Sequence, residues 1–523
     1  MSKKKHRNKS INNRNNNNSN NNSRTETPQN NSVNNTDDQT TANNKAAKKM
    51  VYSENADDMN SLENKERILK ISKLRLVGMI ITVFMAVGIV IVGLILDDKY
   101  KKNHRNIEIL MADGTHLADI RKENGEIVFD CDVRYMTYVG VVWEEAKKIL
   151  GEKKLLGSGA KLYTSFENDK FEILSEAAES VYTEIYGDEA VCLADTTGRI
   201  LATYQKTEEY DDNINYVLAG TSAGSAIKPL SVYGPAIEAG LITWGSIIKD
   251  EPLYYEDDEY GIPVPWPSNV SDFGGKDYTV GDAVKYSINT IAAKVLNEYG
   301  PERIMDFLEQ SFGMDISRER ELAETEGTNS ILGNLAFGAL RNGVTVKDMA
   351  GYYQVFANGG YYQAAYAIDK IEIDGKSVYE HTDSMKRVFS EETAYICNRL
   401  LKNVLTEGGT GAPAYVEGLD ICGKTGTSDG FRDNWFVGFT PEYVCASWCG
   451  NKDGRVNSER TQIEIFKRVM ESLEHNKTVR YSIPADIREI KICKKTGKKA
   501  GADCKDTEVG YFTEDTVPDK CDE

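Results

Sequence analysis

The chain has 523 residues, a length that allows two or three domains. Its formal net charge of −18 is unevenly distributed, because residues 1–75 carry 15 Lys or Arg against 8 Asp or Glu and the remainder therefore carries −25. An acidic main body would repel a phosphate backbone, so nucleic acid is not an expected partner.

The first predicted segment is a polar tail. Residues 1–60 are rich in asparagine and poor in apolar side chains. Such a composition buries too little surface to offset the entropy of the chain. We therefore predict a disordered cytoplasmic tail over residues 1–75, with docking of a partner as an alternative to a simply solvated segment.

An apolar run follows from Leu76 to Leu96, with 21 residues and no charge. As a helix it would be about 30 Å long, enough to cross the hydrocarbon core of a bilayer. A secretory signal would be shorter and closer to the N-terminus. Basic residues are concentrated before the run, so the positive-inside rule predicts a single-pass cell-membrane protein with its N-terminus in the cytoplasm and everything after Leu96 outside.

Residues 97–156 are predicted to form an extracellular stalk and linker, mostly polar at first and helical over 134–150. The strands of the next domain are predicted at 162–168 and in two hairpins, 190–205 and 433–451. Helical patterns cover 171–185, 225–312 and 334–358. Strands at both ends with helices between them predict one sheet covered by helices from both parts of the chain, in a domain spanning 157–483.

Residues 484–523 form a tail with three of the nine cysteines. An odd number of cysteines cannot all pair within one exported chain. Cys493 and Cys504 could staple this loop-rich tail. Zinc is the competing interpretation, but the tail has neither a Cys-x-x-Cys pair nor a nearby histidine.

Three short motifs occur in order: Ser225-Ala-Ile-Lys228, Ser287-Ile-Asn289 and Lys424-Thr425-Gly426-Thr427. Each motif alone is a weak signal, because Ser-x-x-Lys recurs at Ser246–Lys249 and Lys-Thr-Gly recurs at 495–497. A Ser-His-Asp triad is not credible, since the five histidines lie in the tail, beside the apolar run or in charged contexts.

The first motif suits nucleophilic catalysis. A serine hydroxyl becomes a nucleophile when a neighbouring base takes its proton, and residues three apart on a helix share a face. Lys228 must be neutral to act as that base, which requires burial or a nearby positive charge such as Lys424. Pro229 is tolerated near a helix start, where backbone N–H groups can hold an oxyanion.

The other two motifs suit substrate binding and proton transfer. The Lys424–Thr427 segment precedes a hairpin, so it should form a strand that binds an extended peptide along its edge. Gly426 would let the peptide backbone approach, and Lys424 would meet a substrate carboxylate together with the hydroxyls of Thr425 and Thr427. Ser287 can relay a proton to the leaving amine, and Asn289 can hold a substrate amide.

These motifs sit in longer blocks, among them GSAIKPL, YSINTIAAKVLNEYG, FANGGYY, LKNVLTEGGTGAPA and GKTGTSDGFRDNWFVGFTPEYV. From about Arg134 onward the chain resembles the transpeptidase domain of class A penicillin-binding proteins. The resemblance implies an α+β fold of the penicillin-binding and serine β-lactamase kind: an antiparallel sheet covered by helices, with a helical subdomain, behind one transmembrane helix. It also implies an oxyanion hole from the N–H groups of Ser225 and Thr427, and no cofactor or metal.

The expected activity is that of a serine D,D-transpeptidase, which crosslinks peptidoglycan stem peptides ending in D-Ala-D-Ala through an acyl-Ser225 intermediate and is inhibited by β-lactams. Class A proteins usually carry a glycosyltransferase domain after the anchor, and nothing like it occurs here, so a separate glycosyltransferase is the expected partner. With water as the acceptor the same fold would be a D,D-carboxypeptidase or a β-lactamase. A β-lactam sensor or scaffold is the third alternative.

Overall fold

The computed structural model describes residues 57–103, 105–181, 187–207, 214–257, 260–269, 274–450, 460–476 and 479–522. The disorder predicted for residues 1–56 lies outside this range. The described residues divide into two units, one up to residue 88 and one from residue 89 onward. The α-helices of the described residues are α1 (Asp57–Asn103), α2 (Met136–Leu150), α3 (Glu152–Leu155), α4 (Asn168–Val181), α5 (Gly234–Glu238), α6 (Val280–Lys285), α7 (Asn289–Tyr299), α8 (Pro301–Phe312), α9 (Ser317–Glu326), α10 (Leu332–Phe337), α11 (Val346–Ala357), α12 (Glu391–Asn403) and α13 (Thr461–Ser472).

The strands pair into sheets of two to six members. Their bounds are β1 (Ile107–Leu110), β2 (His116–Glu123), β3 (Glu126–Asp130), β4 (Lys161–Thr164), β5 (Asp188–Asp195), β6 (Ile200–Lys206), β7 (Ile247–Lys249), β8 (Tyr254–Asp257), β9 (Pro263–Trp266), β10 (Asp277–Thr279), β11 (Tyr361–Tyr362), β12 (Ile368–Ile373), β13 (Lys376–Glu380), β14 (Lys386–Arg387), β15 (Cys422–Thr427), β16 (Asp433–Phe439), β17 (Tyr443–Gly450), β18 (Ile487–Cys493) and β19 (Thr507–Thr513).

Helix α1 contains the apolar run. Its segment Leu62–Asp97 has a mean hydropathy of 3.0 and is long and apolar enough to cross a membrane. The helix begins at Asp57, so the prediction of disorder is wrong for residues 57–75. The reason is local: Glu63 and Glu66 each precede a basic residue by four positions, and such pairs stabilise a helix.

The central sheet has five antiparallel strands in the order β15-β16-β17-β5-β6. It joins both predicted hairpins, as expected from strands at the two ends of the domain. Strand β16 buries both faces: Phe436 packs on Phe466 of α13, and Phe439 packs on Phe356 of α11. Since side chains three apart on a strand point to opposite faces, helices α11 and α13 cover opposite sides of the sheet. The predicted α+β fold is confirmed.

A second sheet, in the order β13-β12-β4-β1-β2-β3, corrects the predicted stalk. Residues 107–130 form three of its strands, and Ile107, Ile109 and Ile120 are completely buried. The segment is polar on average, but its apolar residues alternate and so line one face of a sheet. A polar stalk is therefore wrong for these residues.

The segment 225–312 is also less helical than predicted. It contains the small pairs β7–β10 and β8–β9 between its helices. Beyond the main domain, β18 and β19 form a separate antiparallel pair.

Candidate active site

Ser225 lies in a 3-10 turn, Gly224–Ile227, that leads through Lys228 into a π-helical turn, Pro229–Tyr233, and then α5. This is the helix start that Pro229 indicated. Residues i and i+3 eclipse one another in a 3-10 turn, so the tighter geometry aligns Lys228 with Ser225. Ser225 is half-buried, whereas Lys228 is completely buried.

The Lys228 ammonium group contacts the second motif. Its Nζ lies 2.7 Å from Asn289 Oδ1, 2.9 Å from the carbonyl oxygen of Ser287 and 3.4 Å from Ser287 Oγ. Burial, and secondarily the charge of Lys424, hold the pKa of Lys228 well below its usual value. Both conditions that the sequence required for a neutral lysine are met.

Ser287 lies between the two lysines. Its Oγ accepts a hydrogen bond from Lys424 Nζ at 2.9 Å and makes a longer contact of 3.4 Å with Lys228 Nζ. It occupies the junction of α6 and α7 with a φ of +59°, a conformation uncommon for residues with side chains. A hydroxyl between two buried amines has the connectivity of a proton relay.

Asn289 is the first residue of α7, and its side chain is used within the protein. Its Oδ1 accepts from Lys228, and its Nδ2 donates to the carbonyl oxygen of Ser268 at 2.9 Å. We predicted that Asn289 binds a substrate amide. In the structure, its side-chain oxygen binds Lys228 instead. The other N–H of the amide has no partner among the described residues and can meet a ligand.

Lys424 is completely buried on β15, and burial lowers its pKa to about 7. Its Nζ contacts Ser287, and also the carbonyl oxygen and Oγ1 of Thr425 at 3.1 and 3.4 Å. Thr425 is half-buried and donates to Thr410 Oγ1 at 2.9 Å, while Thr427 is exposed. The hydroxyls therefore stand closer to solvent than the amine.

Strand β15 is the edge of the central sheet and, among the described strands, pairs with β16 alone. Gly426 has a different use from the one predicted. A Cβ there would lie 2.2 Å from the carbonyl oxygen of Ala223, so the absent side chain makes room for the Ser225 turn. A Cβ on Gly224 would likewise lie 2.5 Å from the nitrogen of Thr427. These close approaches place the backbone of Thr427 beside the nucleophile turn.

Comparison with known proteins identifies this arrangement. Residues 189–471, more than half of the chain, match the family model described as penicillin binding protein transpeptidase domain. The chain belongs to the penicillin-binding protein transpeptidase family. Residues 483–523 match the penicillin-binding protein 1A C-terminal domain. No glycosyltransferase family model matches the chain.

Curated relatives share part of the chain. Penicillin-binding protein 1F of Bacillus subtilis is 30% identical over 358 residues, covering 66% of this chain and 46% of that protein. Penicillin-binding protein 1A of Clostridium acetobutylicum is 34% identical over 277 residues, covering 51% and 32%. The matches thus span less than half the length of these relatives.

Solved structures share the fold at low identity. Penicillin-binding protein 1A from Haemophilus influenzae has a TM-score of 0.60 at 18% identity, covering 76% of this chain and 79% of that one. PonA1 of Mycobacterium tuberculosis in complex with penicillin V has a TM-score of 0.55 at 20% identity, covering 65% and 93%.

The second Ser-x-x-Lys sequence of this penicillin-binding protein, Ser246–Lys249, makes local structural contacts. Ser246 Oγ accepts from the backbone N–H of Thr243 at 2.9 Å, which closes a local turn. Lys249 pairs with Glu251 at 3.0 Å near the surface. Ser246 and Lys249 are therefore occupied by separate local contacts.

The sequence did not predict the residues that hold the second motif in place. Asn269 Oδ1 accepts from the backbone N–H groups of Asn289 and Thr290, at 3.0 and 3.3 Å, and so caps α7. Its Nδ2 donates to Asp250 Oδ1 at 2.7 Å. The buried Asp250 also accepts from Thr290 Oγ1 at 2.6 Å and from Gly274 N–H at 2.9 Å. No pattern in the sequence marks Asp250, since it lies 39 positions before Asn289.

Proposed function

We propose that this chain is a membrane-anchored serine D,D-transpeptidase that crosslinks peptidoglycan stem peptides. The observation that carries the proposal is the convergence of Lys228, Ser287 and Lys424 beside the Ser225 turn, with both amines buried and their pKa values lowered. Buried amines with lowered pKa values are what an enzyme without a catalytic histidine needs for proton transfer near neutral pH.

In the first half of the reaction, Ser225 Oγ attacks the carbonyl carbon of the penultimate D-Ala, and the neutral amine of Lys228 takes the hydroxyl proton. The backbone N–H groups of Ser225 and Thr427 stabilise the oxyanion of the tetrahedral intermediate. The peptide bond then breaks. Ser287 passes a proton from the lysine pair to the departing amine. The terminal D-Ala then leaves, while the acyl group remains bound to Ser225.

In the second half, an amine of a neighbouring stem peptide attacks the acyl-serine carbonyl. It loses one proton to the same relay, the ester bond breaks, and the proton returns to Ser225. The products are a crosslinked peptide and free enzyme. With water in place of the amine, the result would be carboxypeptidase or β-lactamase activity.

The edge of β15 suits the donor peptide, because an extended chain can add to an open sheet edge through its backbone. The terminal carboxylate would meet the hydroxyls of Thr425 and Thr427 first. It would also approach Lys424, whose pKa of about 7 rises when an anion lies close. The substrate therefore helps to protonate the lysine that binds it.

The membrane part of the proposal rests on α1. Its apolar segment, together with the basic residues before it, supports a single-pass anchor in the cell membrane with residues beyond 97 outside. A separate glycosyltransferase would supply the glycan strands.

Acylation by penicillin tests the function directly. The full chain in detergent should be labelled by a fluorescent penicillin, and peptide mapping should place the adduct on Ser225. We expect Ser225→Ala to abolish labelling and Ser246→Ala, its matched control, to retain it. Label that persists in Ser225→Ala would contradict the assignment of the nucleophile.

Incubation with a stem peptide ending in D-Ala-D-Ala separates the two activities. Release of D-Ala without crosslinked product would favour the carboxypeptidase instead.

A further inference from the structure

The C-terminal segment brings three thiols together. Cys493 ends β18, Cys504 lies in the loop before β19, and Cys521 follows the last turn. Their sulfur atoms all lie within 4.8 Å of one another. Cys493 and Cys521 are buried, and Cys504 is half-buried. Three separate stretches of backbone thus converge on one point.

Hydrogen bonds of the surrounding backbone hold the three cysteines in place. The N–H of Cys493 donates to the carbonyl oxygen of Lys498, and the N–H of Cys521 donates to that of Lys499, both at 2.8 Å. Gly501 N–H donates to Cys504 Sγ at 3.3 Å. The Thr496 hydroxyl lies 3.3 Å from Cys521 Sγ. These contacts fix the positions of the cysteines on three separate segments of backbone.

The segments around the cluster differ in charge. Residues 491–505 contain six lysines and a single acidic residue, Asp503, whereas Asp519, Asp522 and Glu523 flank Cys521. The lysines near Cys493 and Cys504 can offset the negative charge of thiolates bound to a metal.

We propose that Cys493, Cys504 and Cys521 bind a divalent metal ion that prefers sulfur ligands, zinc above all, with water in the fourth position. Each thiol releases its proton when it binds. Tetrahedral zinc with Zn–S bonds of about 2.3 Å separates its sulfurs by about 3.8 Å, which is compatible with the observed cluster. A disulfide would use two of the sulfurs and leave the third within reach of thiol–disulfide exchange.

The missing Cys-x-x-Cys spacing argued against zinc in the sequence, but the fold supplies the proximity instead. A two-stranded sheet such as β18–β19 is marginally stable by itself, so a metal bridge would stabilise it. The segment also contacts the helix before Ser287. Lys494 Nζ lies 2.5 Å from Asp282 Oδ2 on α6, and the hydroxyl of Thr279, the N-cap of α6, donates to Glu508.

Cobalt binding tests this site with a readout independent of catalysis. The full chain in detergent, reduced and freed of metal by a chelator, is titrated with Co²⁺. We expect thiolate-to-cobalt charge transfer and the visible bands of tetrahedral cobalt to saturate at one ion per chain, and Zn²⁺ to abolish them. Cys504→Ser should weaken binding at least roughly tenfold, whereas Cys131→Ser, outside the cluster, should leave it unchanged.

Several outcomes would overturn the proposal. One is a cobalt spectrum of the wild-type chain that lacks thiolate-to-cobalt charge transfer. This measurement needs no variant to fold. Another is unaltered affinity in a Cys504→Ser chain that penicillin still labels at Ser225. The third is a disulfide between any two of the three cysteines in chain isolated without reductant and alkylated before digestion.

Discussion

At the scale of single residues, the proposed catalysis depends on two buried lysines that carry different charges. Burial and the positive charge of Lys424 lower the pKa of Lys228, so that Lys228 can act as a neutral base. Acylation should therefore rise with pH as Lys228 loses its proton, and fall at higher pH as Lys424, with a pKa of about 7, loses the charge that binds the carboxylate. Ser287 adds the connection between them, at 2.9 Å from Lys424 and 3.4 Å from Lys228.

Lys424→Met should therefore have two effects on acylation by penicillin. The rate should fall roughly ten- to hundredfold, because a charge-assisted contact worth about 1.5–3 kcal/mol is lost. The acid limb of the pH profile should move to higher pH, because the pKa of Lys228 rises when the neighbouring charge is removed. Stopped-flow acylation over a pH series measures both effects. Lys249→Met is the control, and an acid limb that stays in place or moves to lower pH would contradict the coupling.

At the scale of elements, the site depends on how α7 begins and where β15 ends. The side chain of Asn269 caps α7 and is itself held by Asp250, so residues outside the three motifs fix the residue that binds Lys228. At the other element, Gly426 lets the Ser225 turn lie directly on β15. The site is therefore assembled by the packing of elements as well as by the three motifs.

Asp250→Asn tests the element-scale support. The substitution keeps the shape of the side chain but replaces one carboxylate oxygen with an NH2 group. That group faces a hydrogen-bond donor and cannot accept from it. Loss of about one hydrogen bond, on the order of 1–1.5 kcal/mol, should slow acylation roughly tenfold. Thermal unfolding and acylation kinetics are compared with Asp277→Asn, an exposed control on β10. Normal acylation in a destabilised Asp250→Asn chain would show that the network serves stability alone.

At the scale of the whole molecule, the chain matches only part of its relatives. The matched segments cover 46% of penicillin-binding protein 1F of Bacillus subtilis and 32% of penicillin-binding protein 1A of Clostridium acetobutylicum. The chain matches no glycosyltransferase model. We expect the full chain to form no glycan polymer from lipid-linked disaccharide-peptide, and to form crosslinked peptide when a polymerase is added. Penicillin should block that crosslinking. Chromatography of the digested products measures both reactions, and polymer formed without added polymerase would contradict the expectation.

The features that could be predicted from the amino-acid sequence are those that depend on local pattern. The apolar run predicted a helix, the alternation around Thr-Thr-Gly and Thr-Pro-Glu predicted β5–β6 and β16–β17, and Pro229 placed Ser225 at a helix start. The three motifs also named the residues that meet at the site. Local pattern suffices in these cases because periodicity and turn chemistry act between near neighbours in the chain.

The tertiary structure decided what depends on contacts between distant segments. It placed the polar-looking residues 107–130 in a sheet whose apolar side chains are buried, directed Asn289 to Lys228, and assigned the space at Gly426 to the Ser225 turn. It also brought Cys493, Cys504 and Cys521 together without a spacing that the sequence could reveal. Burial, lowered pKa values and metal-ligand proximity arise only when remote parts of the chain pack together, so no local pattern encodes them.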